Sequence, residues 1–180
     1  MGSREFARGR RVVARLTHGG DLLAEIAAVA EKHGMATAEL RAIGALSSAR
    51  LAFYDQETKT YGEFDVPGAV ELLSLLGNIS RRDGATAVHA HATLAGHDGA
   101  CLGGHVVAGC CVFACELILQ ELVGEPLERG YDEVTGLPLW RGLCRGGAPG
   151  GPRGRPAPRA APLSRPRRAS GRPPDRTGRA

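Results

Sequence analysis

The hydrophobic pattern of the first forty residues predicts a strand followed by a helix. Residues 11–16 are rich in apolar and β-branched side chains, which is typical of a strand. Asp21 can cap a helix, because the apolar residues after it recur at helical spacing up to Gly34. These apolar residues are Leu22, Leu23, Ile26, Val29 and Ala30. Residues 1–10 are polar and are predicted to form a flexible N-terminus.

Strand patterns dominate the middle of the chain. They predict strands at 37–43 and 46–55, separated at Gly44, and further strands at 60–66 and 70–76. The sequence R-R-D-G at 81–84 predicts a hairpin turn. Residues 110–123 fit both a helix and a strand, and we favour a strand because they follow a hairpin. Charged and turn residues at 126–140 are predicted to close the domain.

Four of the six histidines lie in residues 88–105, V-H-A-H-A-T-L-A-G-H-D-G-A-C-L-G-G-H. Residues two apart on a strand point to the same face, so His89 and His91 should share one side. The sequence G-H-D-G at 96–99 predicts a turn, after which the chain can bring His105 back to that side. The pattern predicts a three-histidine site. His97, at the tip of the turn, is predicted to be exposed to solvent.

Three imidazoles favour a transition metal over calcium or magnesium, but they do not choose among zinc, iron, copper and nickel. The alternative is that His89 and His91 are strand residues with hydrogen-bond partners on a wet face. Three protein ligands on zinc would leave a fourth position for water or substrate, so an enzyme is an open hypothesis. Hydrolysis would need a general base, and Asp98 and Glu116 are the carboxylates considered for it.

The C-terminal segment differs in composition from the rest of the chain. Residues 145–180 contain ten Arg, eight Pro and one acidic residue, a net charge of +9, whereas residues 1–144 carry thirteen basic and eighteen acidic residues, a net charge of −5. Such a segment cannot bury enough apolar surface to offset the entropy of ordering. We therefore predict three regions: the N-terminus 1–10, a folded domain 11–142 and a disordered tail 143–180.

The tail contains a candidate DNA-binding motif. Arg153, Gly154, Arg155 and Pro156 form the R-G-R-P core of an AT-hook, in which the glycine lets an extended backbone enter the minor groove of A·T-rich DNA. The flanking arginines would lie along the groove floor. The alternative is that R-G-R-P is an accident of a composition rich in Arg, Gly and Pro, and that the tail is incidental.

The remaining sequence features predict a cytoplasmic protein, associated with the nucleoid if the tail binds DNA. No stretch approaches the apolar length of a membrane span, and the charged N-terminus has no apolar region behind it. The five cysteines are odd in number and lack C-x-x-C spacing. We therefore expect reduced and mostly buried thiols.

Four short segments in order along residues 11–140 resemble the PPC family, the plant and prokaryote conserved domain. They are G-A-L at 44–46, L-S-L-L-G-N-I-S at 73–80, H-A-H at 89–91, and D-G at 98–99 followed by G-G-H at 103–105. The resemblance implies an α/β (α+β) domain with a mainly antiparallel sheet flanked by helices, assembling as a homotrimer. It also implies a metal, zinc, at the three histidines.

Two functions follow from these patterns as hypotheses. The first is a homotrimeric, metal-binding regulatory or binding protein that associates with DNA, since bacterial members of the family are called DNA-binding proteins. The second is a zinc-dependent enzyme or a protein that binds a small anionic ligand at the metal, with the basic tail incidental.

Overall fold

A computed structural model describes residues 2–143 of the chain, and it contains one large antiparallel sheet, one helix and one small hairpin. The elements in chain order are β1 (Ala7–Arg15), α1 (Leu22–Lys32), β2 (Ala38–Asp55), β3 (Thr60–Val66), β4 (Val70–Arg82), β5 (Ala85–Ala95), β6 (Cys101–Val106), β7 (Cys111–Val123), β8 (Arg129–Asp132) and β9 (Leu137–Trp140). Apart from Leu143, the predicted tail 143–180 lies outside the described residues.

The large sheet closes partly on itself. Its strand order is β1-β7-β2-β4-β5-β6, and β3 pairs with the far end of β2. Strand β6 also pairs with β2 at Leu51 and Ala52. Strands β2, β4, β5 and β6 therefore form a ring of hydrogen-bonded neighbours, which a single long β2 makes possible because it bonds to β4 at one end and to β6 at the other.

The predicted break at Gly44 is wrong, because β2 runs through it as one strand. The pairing of β2 with β4 shifts its register between Ala42 and Gly44. A Cβ atom at Gly44 would collide with the backbone of Ala114 and Cys115 on β7. Gly44 thus marks a bend with close backbone approach inside a strand, rather than a strand end.

The predicted helix is confirmed and covers the core. Asp21 is its N-cap, and its Oδ1 accepts a hydrogen bond from the backbone N–H of Ala24 at 3.0 Å. The buried face of α1 consists of Leu22, Ile26 and Ala30. It packs on the inner faces of β5 and β7, where alternate residues of both strands are buried.

Three other expectations need correction. Helices do not flank the sheet within residues 2–143, where α1 is the one helix. Residues 126–140, expected to be turns, contain the hairpin β8–β9. The first strand begins at Ala7 rather than at residue 11, because β7 extends to Val123 and offers hydrogen-bonding partners there, with Arg10 adding an ion pair to Glu121 at 2.8 Å.

Other predicted elements agree with the structure. The turn at 81–84 joins β4 to β5, with Asp83 and Gly84 at positive φ, and residues 111–123 form the strand β7.

The four cysteines within residues 2–143 are free, but only Cys110 and Cys115 are buried. In the same part of the chain, no helix has the length and apolar character needed to cross a membrane.

Candidate metal centre

The three histidines of the predicted site lie together on the outer face of the sheet. His89 and His91 are on β5, and His105 on β6 lies directly opposite His91 in the antiparallel pair. One ring nitrogen from each of the three falls within 4.8 Å of the others. The three ring centroids are 5.1 to 5.3 Å apart. The imidazoles therefore converge on one point.

The sequence places these side chains by simple alternation and by a glycine on β6. Ala90 and Ala92 point into the core, so His89 and His91 point outward. On β6, a Cβ atom at Gly103 would stand 2.7 Å from the carbonyl oxygen of Ala92. Glycine at this position lets β6 lie flat against β5 and deliver His105 opposite His91.

The donor set fits a transition metal. The Nδ1 atom of His105 is buried and has no hydrogen-bond partner within residues 2–143, a costly state that a bond to a metal would relieve. Neutral imidazole nitrogens are ordinary zinc ligands, and three of them would leave one coordination position for water or a ligand. His89, His91 and His105 would hold the ion.

Burial keeps two of the three imidazoles in the neutral form that binds metals. Burial, together with the positive charge of Arg129 and the two other histidines, lowers the pKa of His89 to about 4. Burial is also the main cause that lowers the pKa of His105. Both rings are therefore neutral at physiological pH and compete little with protons for a metal.

A cavity of about 280 Å³ opens beside His89 and His105. The ring of Tyr61 from β3 stacks on the ring of His105, with centroids 5.1 Å apart and planes inclined by 28°. The opposite wall comes from the β8–β9 hairpin. The apolar residues that line the cavity are Ala87, Val88, Leu137, Pro138 and Leu139. Among the described residues that line it, none carries a carboxylate.

The hairpin contributes Arg129, a residue that the sequence interpretation assigned to a closing turn. Its side chain is buried, and Nε donates to the Oγ atom of Ser80 at 2.8 Å. Nη2 donates to Oδ1 of Asn78 at 2.7 Å, and Nη1 donates to the carbonyl oxygen of Pro138 at 2.9 Å. The guanidinium carbon also lies 5.6 Å from the ring centroid of Trp140. Arg129 thereby fixes the hairpin over strand β4.

The other residues considered from the sequence lie elsewhere. His97 is exposed in its turn, as predicted, and Asp98 there accepts a hydrogen bond from the N–H of Ala100 at 3.0 Å. Glu116 lies on β7 opposite Ile43 of β2. Neither carboxylate lines the histidine cavity. The AT-hook residues Arg153, Gly154, Arg155 and Pro156 lie outside the described part of the chain.

These features are shared with known proteins. The chain belongs to the family of the Plants and Prokaryotes Conserved (PCC) domain, whose family model matches residues 3–123. The short sequence segments predicted this same family, and that prediction is confirmed. A comparison with curated proteins gives no match.

Solved structures do match this chain, and they agree with its membership of the family. A metal-containing protein from Archaeoglobus fulgidus is 42% identical, covers 78% of this chain and 99% of its own, and superposes with a TM-score of 0.74. A plant- and prokaryote-conserved protein from Pyrococcus horikoshii is 38% identical over 80% of this chain and 99% of its own, with a TM-score of 0.75. A candidate DNA-binding protein from Bacteroides thetaiotaomicron, 22% identical over 76% of this chain and 97% of its own, shares the fold at a TM-score of 0.67.

Proposed function

We propose that this protein holds a transition metal, zinc, at His89, His91 and His105. The proposal is carried by the convergence of one ring nitrogen from each histidine within 4.8 Å, and the buried Nδ1 atom of His105, which has no hydrogen-bond partner within residues 2–143, supports it. An imidazole set suits zinc, and three protein ligands leave one position open. The name of the metal-containing relative from Archaeoglobus fulgidus points to the same class of protein.

The experiment is metal analysis of the purified full chain, before and after dialysis against zinc. We expect about one tightly held zinc ion per chain, as for other three-histidine sites. A protein that stays folded but takes up no zinc, cobalt or nickel after such dialysis would contradict the proposal.

We further propose that the protein assembles as a homotrimer through the outer face of the large sheet. Strands β1, β2, β4 and β7 carry exposed apolar side chains on that face, and clusters of this kind mark interfaces between subunits. The set consists of Val13 (72% exposed), Ile43 (55%), Leu73 (49%), Leu76 (58%) and Phe113 (59%). Val13, Ile43 and Leu76 line one groove, which a second copy of the chain would fill.

Light scattering tests this assembly. The wild-type protein should have the mass of three chains of 18.8 kDa each. Leu76→Glu should give a folded single chain, because a charge in an apolar interface is costly to desolvate. Val134→Glu is the matched control, since Val134 is 82% exposed on the hairpin loop. A wild-type protein that runs as a single chain would rule out the trimer.

For the tail we propose contact with A·T-rich DNA. The division of charge supports it, because a domain of net −5 should be repelled by phosphates and a segment of net +9 attracted to them. The R-G-R-P core at Arg153–Pro156 supplies a means of entering the minor groove. Three tails on one trimer would add avidity to weak individual contacts.

Titration of full-length and truncated protein onto two duplexes tests the tail. Truncation after Arg141 should abolish binding, and raising the salt concentration should weaken binding by the full chain. Arg153→Ala should weaken A·T-rich more than G·C-rich DNA, whereas Arg168→Ala, outside the motif, should weaken both alike. Equal binding by the truncated protein would assign DNA contact to the folded domain instead.

A second candidate function is binding of a small ligand at the metal. The observation that favours it is the cavity beside His89 and His105, which is open to a ligand of modest size. Metal-assisted hydrolysis would draw on a general base, and the cavity walls carry no carboxylate within residues 2–143. We therefore favour ligand binding over hydrolysis as the use of the open metal position.

A further inference from the structure

Arg129 carries a buried positive charge that has no counter-charge in the described part of the chain. The residue is only 9% exposed to solvent. Its hydrogen bonds go to a hydroxyl, an amide oxygen and a carbonyl, which are all neutral acceptors. Within residues 2–143, no Asp or Glu forms an ion pair with it. Isolated charges of this kind are costly, and proteins usually pair them.

The hydrogen-bonding capacity of Arg129 is only partly used. A guanidinium has five N–H donors, and the protein accepts three of them, one from Nε and one from each terminal nitrogen. One N–H on Nη1 and one on Nη2 therefore remain without an acceptor among residues 2–143. The same guanidinium lines the cavity that adjoins His89 and His105.

The charge of the cavity favours an anion. Arg82 and Arg129 both line it, and its lining residues within the described part of the chain include no Asp or Glu. A metal ion on the three histidines would add further positive charge. Much of the remaining wall is apolar and includes Val88, Leu137 and Leu139. Such a wall suits the hydrocarbon body of a ligand, not a second charge.

We propose that the cavity binds a small organic carboxylate, with its oxygens shared between Arg129 and the metal and its apolar body against the hairpin. A guanidinium can present two N–H donors to the two oxygens of a carboxylate, the geometry for which arginine is suited. The volume of about 280 Å³ limits the ligand to a small molecule. This inference rests on the proposed metal site for one of its two contacts.

The first test is calorimetric titration of the zinc-loaded full chain with three probes of similar shape. Benzoate should bind saturably, and neutral benzamide at least about tenfold more weakly, because only a charged carboxylate neutralises Arg129. Phenyl phosphate tests whether the site prefers a phosphate group to a carboxylate. Equal binding of benzoate and benzamide, or no binding of benzoate, would overturn the proposal, and tighter binding of phenyl phosphate would overturn its assignment to carboxylates.

The second test uses variants with zinc content as an independent readout. Arg129→Gln and Arg129→Lys should keep zinc and weaken benzoate at least about tenfold, since neither offers the guanidinium fork. Arg81→Gln is the matched control, because Arg81 is on the neighbouring strand and its Nη1 donates to Thr86 outside the cavity lining. It should bind benzoate as the wild type does. Wild-type affinity in both Arg129 variants would overturn the proposal.

The two proposals can fail separately. If the protein holds zinc but ignores benzoate, the carboxylate site is wrong and the metal site stands. If the protein holds no zinc, the metal site is wrong, and benzoate binding that Arg129→Lys weakens would still support Arg129 as the anion contact. If both Arg129 variants unfold, the comparison of benzoate with benzamide on the wild type decides.

Discussion

The two faces of strand β5 are covered in different ways. On the inner face, α1 packs Ile26 and Ala30 against the apolar residues of the sheet, and both are fully buried. On the outer face, the β8–β9 hairpin lies across a cavity from His89 and presents Arg129 to it. The helix α1 excludes water from apolar groups, whereas the hairpin encloses polar groups whose hydrogen-bonding capacity is only partly used within residues 2–143.

The inner face of β5 therefore serves stability, and its outer face serves the candidate site. Burial of apolar side chains under α1 supplies the main driving force for folding. The hairpin instead places the cation of Arg129 beside His89 and His105, and burial together with this charge lowers the pKa of His89. We therefore expect changes under α1 to affect unfolding and changes at the hairpin to affect the site.

Ile26→Ala should break the inner cover and give the largest loss of stability. Truncation of a fully buried isoleucine costs about 2–5 kcal/mol of unfolding free energy. Denaturant unfolding measures it, with Val134→Ala on the exposed hairpin loop as a control expected within about 0.5 kcal/mol of wild type. Zinc bound per folded chain should stay unchanged. Loss of zinc in folded Ile26→Ala protein would contradict the separation of the two faces.

Tyr54→Phe should loosen the outer cover with a smaller effect. The hydroxyl of Tyr54 donates to the carbonyl oxygen of Thr135 in the hairpin loop at 2.6 Å, a bond worth about 0.5–1.5 kcal/mol. Hydrogen exchange of the hairpin amides should speed up. Tyr131→Phe is the matched control, because that hydroxyl makes no hydrogen bond within residues 2–143 and its residue is exposed. Equal exchange in the two variants would refute the role of Tyr54.

Acid should weaken the hairpin before the core. Hydrogen bonds from the hydroxyl and the backbone N–H of Thr135 lower the pKa of Asp132. The carboxylate therefore stabilises the folded hairpin above the unfolded pKa of about 3.9, and this contribution is lost as pH falls through the lower folded pKa. Circular dichroism follows the sheet, whereas fluorescence of Trp140, the one tryptophan of the chain, follows the hairpin.

Asp132→Asn tests this pH dependence. Below about pH 4 the wild-type Trp140 emission should shift before the circular dichroism does. In the variant, which cannot titrate at this position, the shift should depend less on pH. Asp83→Asn, in the turn between β4 and β5, is the matched control and should behave as wild type. Coincident acid transitions by both probes in all three proteins would show that the hairpin is not a separate unit.

The sequence was sufficient where structure depends on local periodicity. Alternation along β5 places His89 and His91 on one face, and a turn with glycines returns His105 beside them. The Asp21 cap and the helical spacing after it likewise define α1. These features depend on neighbours within a few residues, so the pattern of residues contains them.

The sequence was insufficient where distant strands decide the outcome. Gly44 looks like a strand end but lies where β7 approaches the backbone of β2. Residues 7–10 become a strand only because β7 extends far enough to pair with them. Arg129 has no local pattern that marks a site, since its partners Asn78 and Ser80 are about fifty residues away. Long-range pairing of this kind is not encoded in residue spacing.

The most direct test of the central claim, the three-histidine metal site, is zinc affinity of four single variants. His89→Ala, His91→Ala and His105→Ala should each weaken zinc by more than about 100-fold, since loss of a ligand exceeds the effect of losing an outer partner. His97→Ala should bind zinc as the wild type does, because His97 lies exposed in its turn outside the cluster. Equal retention of zinc by all four folded variants would contradict the account.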